Sequence, residues 1–311
     1  MSASTGFVCL VLGDELYAVR DGAVLAIARV DEMQPGGAAD DNRIGTLALG
    51  TQLVPVHSLA RALGAPAPPA GRHIVVSPGP NGTVGWSVDR AYRAGGRIPA
   101  EVQALPALVG PRAAEWFEGV VVVDGRAMLL LSTSAHRPSV SETPKQVRQA
   151  AGAAAVPPPP EAPPFVVTFS SPSLPPCAAD RYALSARQVV TITSAPATLR
   201  VPGSPAHVAG VAPCNGGLAT VVDFRPLSAR QPHAGRELRL LVARTGSSLR
   251  EPIAFAVDAA VALHRPDLAD RERTVADESD FVLGVFEVGD GAIALLDLDA
   301  LVTPRYGATP A

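Results

Sequence analysis

Lysine is almost missing from this chain: Lys145 is the one lysine among 26 basic residues, the rest being arginine. With a formal net charge of −3, the chain offers no basic field for nucleic acid or for an anionic membrane. Charged residues are also few, at 18%, against 47% hydrophobic, which is the reverse of a long disordered protein. Cysteine is scarce. Cys9, Cys177 and Cys214 are odd in number, far apart and free of any Cys-x-x-Cys spacing. A disulfide framework is therefore not expected, nor a zinc site. The six histidines are scattered and form no His-x-x-x-His pair, so no metal and no cofactor is expected. Long apolar runs are absent as well: none reaches the ~18 residues of a membrane span. The apolar run at residues 7–12 has no basic segment before it and breaks at Gly13, Asp14 and Glu15. That is too short for a secretion signal, so direct membrane insertion is not expected and the cytoplasm is the expected compartment.

What is present divides the chain. At roughly 100–200 residues per domain, 311 residues suggest two domains. A Pro- and Ala-rich stretch with almost nothing large to bury lies between them, with a Pro run at 157–160 that favours an extended path. The expected organisation is a first domain at 1–137, a linker at 138–163 and a second domain at 164–305. As a flexible coil, the linker reaches ~25–30 Å.

The two flanks repeat. Tyr17 opens YAVRDGAVLAIARV, and Tyr182, 165 positions on, opens YALSARQVVTITSA. Gly45 begins GTLALGTQLVPVHSL and Gly210 begins GVAPCNGGLATVVDF at the same offset. Val88-Asp89 returns as Val257-Asp258, and Gly119 (GVVVVDGRAMLLL) returns as Gly284 (GVFEVGDGAIALLDL). Anchors kept in one order at a nearly constant offset mark a duplicated domain.

Each copy reads as β. Short apolar runs at 7–12, 16–20, 53–57, 73–76, 84–88, 120–123 and 127–131 alternate with Gly, Pro, Asp and Asn. Asp124-Gly125 and Asp290-Gly291 are hairpin signals. Helix is confined to three short candidates, 58–63, 101–105 and 112–117. Many short strands with frequent turns predict an all-β chain of small barrels or sandwiches.

At these anchors each copy resembles the CheW-like domain of bacterial chemotaxis coupling proteins and of the regulatory region of chemotaxis histidine kinases. The resembling residues in copy one are Tyr17-Ala18-Val19, the run from Gly45 to Leu59, Val88-Asp89 and Gly119-Val120. In copy two they are Tyr182-Ala183-Leu184, the run from Gly210 to Arg225, Val257-Asp258, Gly284-Val285 and Leu295-Leu296-Asp297. The resemblance implies two five-stranded SH3-like β-barrels per domain, packed on a shared apolar seam. It also implies a non-catalytic scaffold that docks a chemotaxis histidine kinase, chemoreceptor cytoplasmic tips or other CheW-like domains. The expected partner-facing surfaces lie near Leu47, Leu49 and Gly50, and near Pro213, Cys214 and Asn215. Strands at 24–27 and 189–192, with Val24, Ile27, Val189 and Ile192, are expected to line the same groove.

The copies also depart from the family pattern. Its partner-contacting Arg is replaced by Gly50 and Asn215, neither of which can make a guanidinium's forked contacts. Its Asp is Ser58 in copy one and Asp223 in copy two; its Pro is Pro55 in copy one and Thr220 in copy two. This divergence allows a second reading, a pseudo-symmetric structural unit serving motility, polar localisation or another signalling pathway. A flexible tether and a packed pair are both compatible with the sequence.

Catalytic signatures are weak. Neighbouring His57 and Ser58 lack the Gly-x-Ser-x-Gly of a nucleophile elbow. Gly79, Gly82 and Gly85 lead into a strand rather than a helix, which suits a turn and not a phosphate cradle. Asp297 and Asp299 are expected to alternate on a strand or its exit. The mixed-charge run 267–280 reads as a solvated or partner-facing loop. Trp116 and Phe117 read as core aromatics.

Overall fold

The computed structural model describes residues 6–36, 42–64, 71–79, 82–94, 101–132, 165–175, 177, 179–194, 198–225, 239–245, 251–258, 261–265, 280–288 and 291–302. The expected linker 138–163, Asp290 and most of the charged run 267–280 lie outside these residues.

Among the described residues copy one has eleven strands: β1 (Phe7–Leu12), β2 (Glu15–Arg20), β3 (Ala26–Arg29), β4 (Met33–Pro35), β5 (Arg43–Leu49), β6 (Gln52–Ser58), β7 (His73–Gly79), β8 (Gly82–Val88), β9 (Arg90–Arg93), β10 (Phe117–Val123) and β11 (Arg126–Leu131). They form a first sheet ordered β10-β11-β2-β1-β9 and a second ordered β3-β7-β8-β6-β5-β4. Copy two has β12 (Val166–Phe169), β13 (Arg181–Ser185), β14 (Val189–Ser194), β15 (Val208–Cys214), β16 (Gly217–Val222), β17 (Arg239–Arg244), β18 (Pro252–Val257), β19 (Ala262–His264), β20 (Val282–Val288) and β21 (Gly291–Leu296). Its sheets run β19-β12-β13-β21-β20 and β14-β17-β18-β16-β15. The two copies share one topology. Among the described residues, β4 pairs with β5 at the sheet edge of copy one, and its place in copy two is held by the single Leu199–Val211 bridge beside β15.

Side-chain alternation explains the paired barrels. In β1, Phe7 and Cys9 turn into the first barrel with Ala18, Val121 and Met128, while Val8 and Leu10 turn the other way. In β7, Ile74 and Val76 fill the second barrel with Leu47 and Val54, while Val75 turns outward. Val8, Leu10, Val75, Trp86 and Leu59 therefore meet in a seam between the barrels. Copy two repeats the scheme. Val166 and Ile293 lie in one barrel, Ala219 and Leu240 in the other, and Phe169, Leu184, Phe255 and Leu296 in the seam.

Four repeat anchors are glycines at β-bulges. The register slips between Arg43 and Gly45, Phe117 and Gly119, Val208 and Gly210, and Val282 and Gly284. At Gly119 a Cβ would collide with the Gln103 carbonyl, and at Gly210 with that of Leu199. Those backbones cross there: Gln103 bridges Val120 and Leu199 bridges Val211, both antiparallel. The predicted helix at 101–105 is therefore not formed. Both the N–H and the C=O of Gln103 pair with Val120, at 2.9 and 2.8 Å, and an extended chain makes those bonds where a helix cannot.

The other helix candidates hold: α1 (Leu59–Ala62) and α2 (Pro111–Trp116). A third helix, α3 (Leu298–Val302), follows β21. Asp297 caps α3, its Oδ1 accepting from the N–H groups of Asp299 and Ala300 at 2.9 and 3.0 Å. Asp297 and Asp299 thus lie at the exit of β21, in the cap and first turn of α3.

The copies pack on each other. Val201, Val208, Val211 and Leu218 of copy two belong to the same buried cluster as the seam of copy one, and Leu108 of copy one packs on the seam of copy two. Ala107 N donates to Glu251 Oε2 at 2.6 Å, and Gln103 Nε2 donates to Gly216 O at 3.4 Å. The contact joins the first barrel of copy one to the second barrel of copy two. It is head to tail, so the pair lacks the self-complementary contact of a two-fold unit.

Candidate docking surface

The expected docking residues sit on two matching hairpins, β5–β6 and β15–β16. Gly50 opens the first turn with φ +61; Asn215 and Gly216 make the second with φ +45 and +79. These are left-handed positions that glycine and asparagine adopt at little cost.

The remaining expected residues divide between surface and interior. Leu47, 2% exposed, fills the second barrel of copy one, with Leu49 packed beside it. Cys214 packs inward against the matching barrel of copy two. Val24 leans on the seam of copy one, and Val189 and Ile192 lean on that of copy two. Ile27, Gly50, Pro213 and Asn215 are exposed. Three strands separate β3 from β5, and β14 from β15, in the hydrogen-bond order of their sheets, while Ala26 and Ala28 of β3 pack in the same cluster as Leu47 and Leu49, and Val190 of β14 in that of Cys214.

Sequence reading passed over the residue that distinguishes the two hairpins. Leu53 and Leu218 occupy equivalent places, just past each turn. Leu218 is 8% exposed and buried with the core of copy one; Leu53 is 69% exposed. Around Leu218, copy two carries Val201, Val208 and Val211, where copy one has Gly36, Arg43 and Thr46 at the 165-residue offset. Comparing the copies position by position for polarity would have found this contact.

At the foot of each hairpin the family's Asp position serves local structure. Ser58 Oγ accepts from Arg61 N at 3.3 Å and caps α1, while His57 leans on Trp86 with ring centroids 5.6 Å apart. Asp223 holds Arg225, with Oδ2 2.7 Å from Nη2 and Oδ1 accepting from Arg225 N and Nε at 3.0 Å. Asp89 Oδ2 accepts from Gly13 N at 2.7 Å, tying the β1–β2 turn to the end of β8. Burial pushes the thiols of Cys9 and Cys214 above the usual range, so neither is an activated nucleophile. Among the described residues no His, Cys, Asp and Glu cluster is suited to a metal, and no helix is long and apolar enough to cross a membrane.

The CheW-like domain model matches the chain twice, at residues 6–136 and 176–305. The chain is similar to the scaffolding protein TtCheW from Thermoanaerobacter tengcongensis, with 17% identity over 41% of this chain and 88% of that one, at a TM-score of 0.37. A search of curated proteins gave no match. The paired SH3-like barrels, their common topology and the double match over most of the sequence place this chain in the CheW-like domain family, with two domains in tandem.

Proposed function

We propose that this chain is a non-catalytic cytoplasmic scaffold of chemotaxis-type signalling that docks partners through the β5–β6 hairpin of copy one. The partner is the regulatory domain of a chemotaxis histidine kinase, a receptor cytoplasmic tip or another CheW-like domain. Domains 1–137 and 164–305, joined by the linker 138–163, act as one packed unit, which presents its surfaces at a set spacing. The observation that carries this reading is the contrast at one repeat position. The hairpin of copy two has its leucine covered by a neighbouring CheW-like barrel, while that of copy one holds Leu53 bare beside Gly50. Covering a leucine contributes about 1.5–3 kcal/mol, or roughly ten- to hundredfold in affinity.

Titration calorimetry of the whole chain against a purified kinase regulatory domain tests this. Leu53→Asp weakens binding at least about tenfold, because the contact would then bury an unpaired carboxylate. Leu263→Asp, at an exposed site on β19, leaves it unchanged. Equal affinity for Leu53→Asp and the unaltered chain contradicts the proposal.

A further inference from the structure

The face that carries Leu53 is not uniformly apolar. In the β5–β6 register Thr46 stands opposite Pro55 and Arg43 opposite His57, while Ile44, Leu47 and Val54 pack into the barrel. Arg43 and Thr46 therefore share the outer face of the hairpin with Leu53. Arg43 is half-buried there, and its Nη2 donates to Thr46 Oγ1 at 3.0 Å. Among the described residues no carboxylate pairs with it. Strands β4, β5 and β6 contain no acidic residue.

Copy two shows what covers such a face. Val208 and Val211, 165 places on from Arg43 and Thr46, are 7% and 1% exposed and share a cluster with Val109 and Ala113 of copy one. The element that covers β15 is the short turn Ala107–Val109 of copy one. That contact is apolar on both sides. A barrel seated in the same way on copy one would cover Arg43 where copy two has a valine. An apolar turn in that place would leave a guanidinium dry and without a counter-charge, which is strongly disfavoured. A carboxylate there accepts from the guanidinium fork and removes the cost.

The geometry points to Arg43 as the residue that selects the partner of the β5–β6 hairpin. The partner is a CheW-like barrel whose covering turn, equivalent to Ala107–Val109, carries an aspartate or glutamate. The same charge rejects an apolar turn, so the turn of copy one in another chain is a poor occupant of this hairpin. This inference rests on docking through the β5–β6 hairpin and names the chemistry of the docked partner.

Titration calorimetry of the full chain against a purified kinase regulatory domain, in about 0.05 M and about 0.5 M NaCl, tests the assignment. Arg43→Val is expected to weaken binding about threefold or more at the lower salt. Arg43→Glu is expected to weaken it about tenfold or more, because it sets two carboxylates against each other. The unaltered chain is expected to lose more affinity to added salt than Arg43→Val does. Arg187→Val, at an exposed site in copy two, is expected to match the unaltered chain at both salt concentrations. Each variant is first checked for an unchanged melting temperature. Arg43→Val binding as tightly as the unaltered chain, or more tightly, overturns the charge selection, and a simultaneous loss of affinity in Leu53→Asp leaves the hairpin docking in place. Binding that Leu53→Asp does not weaken overturns both.

Discussion

Thr220 stands where copy one has Pro55, in the middle of β16. It is fully buried, and its hydroxyl has no hydrogen-bond partner among the described residues. Valine has the same shape without that polar atom, so Thr220→Val is expected to stabilise the fold by about 1 kcal/mol. A thermal melt checks this, with an expected rise of about 3 °C. Tyr17 and Tyr182, the repeated tyrosines, add a pH dependence. The hydroxyl of Tyr17 donates to Glu15 Oε2 at 2.5 Å, and that of Tyr182 to the Pro175 carbonyl at 2.5 Å. Burial, and then the Glu15 carboxylate, push the Tyr17 phenol above its usual range; burial, and then Cys177, do the same for Tyr182. A folded-state value above the unfolded one favours the protonated fold. This stability is therefore complete below about pH 10 and falls as the pH climbs toward the folded values. Alkaline denaturation followed by circular dichroism should begin above about pH 10, and Tyr17→Phe should flatten the loss.

At the scale of elements, the hairpins were the most legible part. Asp124-Gly125 forms the β10–β11 turn, with φ +50 and +75, as that dipeptide requires. The strands at 7–12, 73–76 and 127–131 are read from apolar runs, and burial of both faces in β1 explains why its run is unbroken. The shortest edge strands were not legible. β4, β9 and β19 have only three or four residues, and β9 reads Arg-Ala-Tyr-Arg, whose pattern resembles a loop. The helix expected at 101–105 fails for a related reason: its backbone is claimed by the bulge at Gly119, a pairing between distant segments that local pattern does not show. Equivalent leucines in the two hairpins give a direct contrast. Leu218→Ala leaves a hole in a shared core and is expected to cost about 2–4 kcal/mol in urea denaturation. Leu53→Ala removes an exposed side chain and is expected to stay within about 0.5 kcal/mol of the parent. Equal costs at the two sites would contradict the packing of the copies.

For the whole molecule, the shared anchors reveal the duplicated domain, but the contact between the domains lies where the copies differ. Val201, Val208 and Val211 face the first barrel of copy one, and the polar residues at the matching places in copy one leave its own hairpin uncovered. The result is a head-to-tail pair with one hairpin used inside and one presented outside. Hydrogen–deuterium exchange of the full chain, with and without a purified kinase regulatory domain, tests this division of roles most directly. The account predicts new protection at residues 49–54 and no change at 214–219. Protection at 214–219 with 49–54 unchanged, or equal protection of both hairpins, would contradict it.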